Sequence, residues 1–119
     1  MKLFKKFKKT MCTEQRALEA LEISIGFRGN EMCYYCKGKD FEGNGPYYKC
    51  LVCKNKFTCI SGSFIEESNI PALHWVWVIS ASYMYQTWSP ILISEITGVN
   101  LMDVQSIIFI IDSLNGLEQ

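Results

Sequence analysis

Apolar positions recur at helical spacing near both ends of the chain, and between them they break into short runs interrupted by glycine. Ala17, Leu18, Leu21 and Ile25 fall on one helical face, Thr13 offers a capping hydroxyl and Gly26 a stop. The pattern predicts a leading helix over 13–25. Residues 1–10 (MKLFKKFKKT) read instead as a basic, partly solvated arm. Residues 30–60 carry paired cysteines with Gly38, Gly43, Gly45 and Pro46 between them, a composition that suits short strands and tight turns. Pro71 opens a second helical stretch, roughly 71–86. Ser89 before Pro90 starts a third that ends at Gly98, and Asn100 caps a last helix with Asp103 three residues on.

These elements predict an α+β chain: a basic arm (1–12), a leading helix (13–29), a small antiparallel ribbon (30–64) and a helical region (65–119). Residues 68–94 contain no Asp, Glu, Lys or Arg and are long enough to span a bilayer. Pro71, His74, Gln86 and Pro90 interrupt the run, so two soluble helices with a turn explain it better, and membrane insertion is not expected.

Composition changes the picture in two ways. About half of the 119 residues are apolar (49%), which indicates a folded chain. The formal net charge of zero hides a split, because all 12 Lys and Arg lie between Lys2 and Lys56. Six acids share that stretch, leaving +6, and the six acids from Glu66 onward leave −6 in a half without cations. The halves therefore suit different partners.

The six cysteines decide the chemistry. No apolar run follows the basic N-terminal stretch, as a secretion signal would require, so a reducing, intracellular compartment is expected. Four of them form Cys33-x2-Cys36-x13-Cys50-x2-Cys53. Two Cys-x-x-Cys turns deliver four thiolates in pairs to one tetrahedral ion, and Zn2+ is the expected ion. The turns echo each other as Cys-x-x-Cys-Lys-Gly-Lys and Cys-x-x-Cys-Lys-Asn-Lys. Gly38 and Asn55 are the expected left-handed residues. Two disulfides or four unrelated thiols are the alternative. Four thiolates close the coordination shell, so the centre is expected to be structural and the chain not an enzyme. His74 lies outside the ribbon, and Cys12 and Cys59 read as packing residues, with Cys59 in a strand.

Lys37, Lys39, Lys49, Lys54 and Lys56 crowd the ribbon, interleaved with Tyr34, Tyr35, Tyr47, Tyr48 and Phe57. The aromatics read as the ribbon's small core. The lysines, with those of the arm, read as a surface for DNA or another polyanion; an anionic membrane surface could use the arm equally well.

The run Phe57-Thr-Cys-Ile-Ser-Gly-Ser-Phe-Ile-Glu-Glu-Ser-Asn-Ile-Pro-Ala-Leu-His-Trp75 resembles the N-terminal region of zinc-ribbon DDE transposases of insertion sequences, including Merlin-like elements. Ile91 to Asn100, around Ser94, Glu95, Ile96 and Gly98-Val99, resembles that family's helix-turn-helix, and the resemblance runs over about residues 11–111. It implies DNA binding, a strand leaving the ribbon after Phe57, and a recognition helix at 101–114. Two departures accompany it. The family's catalytic domain would begin after about residue 120, and no acid here maps onto it. The helix at 101–114 has no Arg or Lys and offers Gln105, Ser106 and two acids. Its run Ile107-Ile108-Phe109-Ile110-Ile111 predicts burial on all sides, by neighbouring helices or by a partner. The expected function is a non-catalytic, zinc-dependent nucleic-acid-binding module. Its rivals are a protein-interaction adaptor docking on itself or a partner through residues 71–114, and a transposase remnant without independent function.

Overall fold

The computed structural model describes residues 2–25, 33, 35–43 and 45–117. Its elements in chain order are α1 (Lys2–Thr10), α2 (Glu14–Ile25), β1 (Phe41–Glu42), β2 (Tyr48–Cys50), β3 (Lys56–Phe57), α3 (Phe64–Glu67), α4 (Ala72–Met84), α5 (Pro90–Thr97) and α6 (Leu101–Leu117). The architecture is α+β, with one antiparallel sheet ordered β1-β2-β3. Two compact units divide the chain: Thr13–Ala72, and Met1–Cys12 with Leu73–Gln119.

In the first unit the pleat sorts the side chains. Phe41 faces Cys50 and Tyr48 faces Phe57 across the ladder, while Glu42, Lys49 and Lys56 occupy the alternate positions. Tyr48 and Phe57 stack with centroids 5.5 Å apart, and Phe41 meets both edge-on at 5.4 and 5.5 Å. Cys33 and Cys50 complete this core. Thr13 Oγ1 accepts from the Arg16 N–H (3.1 Å), the expected cap of α2. The expected stop, Gly26, lies outside the described residues. Ala17 and Leu18 are buried on α2, and so is Glu22 one turn further, whose Oε1 accepts from the Tyr48 hydroxyl at 2.6 Å. The strand expected to leave the ribbon ends at Phe57; turns fill residues 58–63 up to α3.

In the second unit the basic segment differs from the expected solvated arm. Residues 2–10 form α1, because Phe4, Phe7, Lys8 and Met11 recur on one face at i, i+3, i+4 and i+7. Phe4 is buried and its N–H donates to Tyr85 Oη (3.1 Å). Lys8 lays its ammonium 4.5 Å from the Trp77 ring and donates to Thr97 O (2.8 Å) in the last turn of α5, where a cation is favoured. Trp77 Nε1 donates to Met11 O (2.7 Å). The opposite face of α1 carries Lys2, Lys5, Lys6 and Lys9, all exposed.

The apolar run at 68–94 is broken between α4 and α5, and among the described residues no helix is long and apolar enough to cross a membrane. Ser89 Oγ caps α5 at Leu92 N, Pro90 occupies its first turn, and Gly98 closes it at φ 79°. Asn100 Oδ1 accepts from Asp103 N (2.9 Å) to start α6. Trp75, Val78, Ala81, Ile93, Val104 and Ile107 are fully buried. Within this chain the neighbouring helices cover only part of the run 107–111: Ile107 is buried, whereas Phe109 is 72% exposed. A straight helix turns about 100° per residue, so consecutive apolar residues cannot share one covered face.

Candidate metal centre

Two turns of one design bring the cysteines together. In the first, Cys33 N–H donates to Gly38 O (2.9 Å) and Lys37 N–H to Cys33 O (2.8 Å). In the second, Cys50 N–H donates to Asn55 O (2.9 Å) and Lys54 N–H to Cys50 O (3.0 Å). The offsets match, as the repeated sequence does. Each turn needs one left-handed residue, and it is the lysine directly after the second cysteine: Lys37 at φ 63° and Lys54 at φ 68°. Gly38 and Asn55 therefore serve other ends than the expected one. A Cβ at Gly38 would lie 3.1 Å from Val52 Cγ2 and 3.3 Å from Cys36 Sγ, so glycine is needed there for space. Asn55 Nδ2 donates to Cys53 Sγ (3.4 Å).

The four sulfurs lie within 4.8 Å of one another. The close pairs run between the turns, Cys33 to Cys53 at 3.6 Å and Cys36 to Cys50 at 3.5 Å. Four sulfurs about 2.3 Å from a tetrahedral ion stand about 3.8 Å apart, and a disulfide requires about 2.05 Å. The spacing fits one metal ion and not two disulfides. Three backbone donors also point at the sulfurs: Gly38 N to Cys36, and Val52 N and Cys53 N to Cys50, each at 3.4 Å. Such N–H···S contacts offset thiolate charge and orient the ligands.

These hydrogen bonds shift the thiols in different directions. The backbone N–H of Cys53, with that of Val52, outweighs burial and holds Cys50 down at about 6. The Asn55 backbone N–H likewise lowers Cys53. At Cys36 the pull of the Gly38 N–H is overcome by the hydrogen bond with Cys50, by burial and by Cys53 and Cys33, and its pKa rises to about 11.

Lys37, Lys39, Lys49, Lys54 and Lys56 are all exposed. The aromatics separate: Tyr48 and Phe57 are core, as expected, but Tyr35 and Tyr47 are 52% and 53% exposed. Tyr34 lies outside the described residues. Cys12 is exposed and packs nothing into a core, which corrects the reading of it as a packing residue. Cys59 sits in a turn and not a strand; its Sγ donates to Leu18 O (3.7 Å), and burial, then the charge of Glu22, push its thiol up to about 11. His74 belongs to the helical unit, stacked on Trp77 at 5.5 Å.

Glu22 is the residue that sequence reading missed. A Cβ on Gly45 would press on its carboxylate and on the Tyr48 hydroxyl, so the loop passes close over this buried contact. The available signal was its i+4 position from Leu18 on the apolar face. Comparison of the chain with protein-family models, curated proteins and solved structures returns no match, so what this centre does follows from its own chemistry.

Proposed function

We propose that the chain is a non-catalytic, zinc-dependent nucleic-acid-binding module that contacts DNA phosphates through its ribbon. The carrying observation is the exposure of Lys37, Lys39, Lys49, Lys54 and Lys56 around the four-cysteine cluster. Lys37 and Lys54 occupy left-handed positions that glycine or asparagine fills at less cost. A charge kept at a strained turn position is consistent with use of that charge. Zinc is the ion that four thiolates in a tetrahedron favour, and bound there it would cross-link the two turns and set the lysines' spacing. Four thiolates leave no open coordination position, which supports a structural and not a catalytic role. Descent from a transposase N-terminal region would account for the order of ribbon, turn and paired helices α5 and α6. With no cation on α6, the phosphate contact is assigned to the ribbon.

Titration of the zinc-loaded protein with random duplex DNA across a salt series tests this reading. Affinity should fall steeply with salt. A Lys37→Asn, Lys39→Glu, Lys54→Asn, Lys56→Glu variant should lose binding while keeping its metal, because asparagine tolerates the left-handed turn. Absence of binding by the native protein at low salt would overturn the reading.

One observation favours an adaptor as the second reading. Met102 and Phe109 stand 77% and 72% exposed, seven residues apart on α6, beside Asp103 and Asp112. Docking on such a face would resist salt, unlike phosphate contacts.

A further inference from the structure

The ribbon unit contains an open cleft of about 770 Å³, within the size range of small-ligand sites. Its lining includes Tyr35, Tyr47, Lys49 and Lys56, with Tyr48 and Phe57 from the stacked pair. None of these residues is a metal ligand. Tyr35 and Tyr47 are about half exposed, while Tyr48 and Phe57 beside them are buried.

The cations are placed with equal economy. Lys49 and Lys56 are directly opposed on neighbouring antiparallel strands. Like charges at opposed positions repel, so an anion seated between them would relieve the sheet. Glu42 and Glu66 also line the cleft, and Thr58 and Ser61 add hydroxyls. Carboxylates disfavour a bare phosphate but accept hydrogen bonds from the exocyclic amino groups of a base. Ring faces, paired lysines and base-edge acceptors in one concave site match a nucleotide better than they match a duplex backbone.

We propose that this cleft takes one unstacked base of a single-stranded nucleic acid, its ring on Tyr35 and Tyr47 and its phosphates on Lys49 and Lys56. The inference deepens the nucleic-acid reading and rests on it, since it names the form of nucleic acid the ribbon selects. Base-on-aromatic stacking is available only from strands whose bases are free to splay out, which a duplex does not offer without unpairing.

Fluorescence anisotropy of labelled oligo-dC and of a matched duplex, titrated with zinc-loaded protein at one salt concentration, tests the proposal. The single strand should bind about tenfold more tightly than the duplex. Tyr47→Ala and Tyr35→Ala should each remove most of that difference and leave duplex affinity unchanged, while Tyr47→Phe, which keeps the ring face, should restore it. Metal content and the cobalt-substituted thiolate absorption of each variant confirm that the ribbon is intact. Equal binding of strand and duplex, or alanine variants that bind the strand as the native protein does, would overturn the cleft assignment. Salt-sensitive duplex binding would survive that result, so the broader reading would stand apart from it. If cytidine monophosphate competes as well as the oligomer per molecule, the ligand is a free nucleotide and the strand assignment is overturned.

Discussion

The sheet of the ribbon unit consists of strands of two, three and two residues, whereas the helical unit runs through helices of up to 17 residues. Regular hydrogen bonding cannot hold the first, so its core is three aromatic rings and two cysteines that are also candidate ligands. The helical unit buries Trp75, Val78, Ile93, Val104 and Ile107, none of which is a candidate metal ligand. In one unit two of the core residues, Cys33 and Cys50, are also candidate metal ligands; in the other the core is apolar packing. A bound metal would add to the stability of a unit of the first kind, whereas one of the second kind relies on apolar burial.

The largest test of that contrast is removal of the metal. Chelation, or Cys50→Ser, should unfold the ribbon, since structural zinc sites contribute about 10–16 kcal/mol of apparent binding energy. All three tryptophans, Trp75, Trp77 and Trp88, lie in the helical unit, so their emission should persist while the ribbon tyrosine signal is lost. One metal per chain retained by Cys50→Ser would refute the ligand set. The converse variant, Trp75→Ala, should cost the helical unit about 3–5 kcal/mol in a urea melt and leave metal content unchanged. Loss of metal from that variant would show that the two cores are not independent.

A smaller effect should appear within the ribbon. Tyr48→Phe removes the 2.6 Å donor from Glu22, whose Oε2 is already buried with no partner among the described residues. The cost should be about 1–3 kcal/mol, read as weaker metal retention against a chelator. Pairing it with Glu22→Gln should recover part of that loss, and strict additivity would show that the contact carries no coupling. The smallest change, Asn100→Ala, removes the cap of α6 and should lower helical stability by about 1 kcal/mol, with no effect on the ribbon. Circular dichroism during thermal unfolding would detect it.

Much of this was legible because it is encoded over short distances. Thr13, Ser89, Gly98 and Asn100 mark helix ends through bonds to backbone three or four residues away, so residue type and spacing suffice. The clustering of the four cysteines was legible for the same reason, since two residues between cysteines set the reach of a single turn. The left-handed position was misplaced by one residue within those turns, because lysine gave no compositional sign of it.

By itself, then, the sequence determined the α+β class, the four clustered sulfurs, the starts of α2, α5 and α6 and the end of α5, all consequences of contacts between near neighbours in the chain. Only the tertiary structure decided that a lysine-rich segment packs as α1, that Glu22 is a buried acceptor, and that Tyr35 and Tyr47 stay outside while Tyr48 and Phe57 go in. Each of those outcomes depends on what arrives from far along the chain: Trp77 and Thr97 for Lys8, Tyr48 for Glu22, and the β3 strand for the tyrosines. Burial is a property of the neighbours a residue acquires, and residue type alone does not specify them.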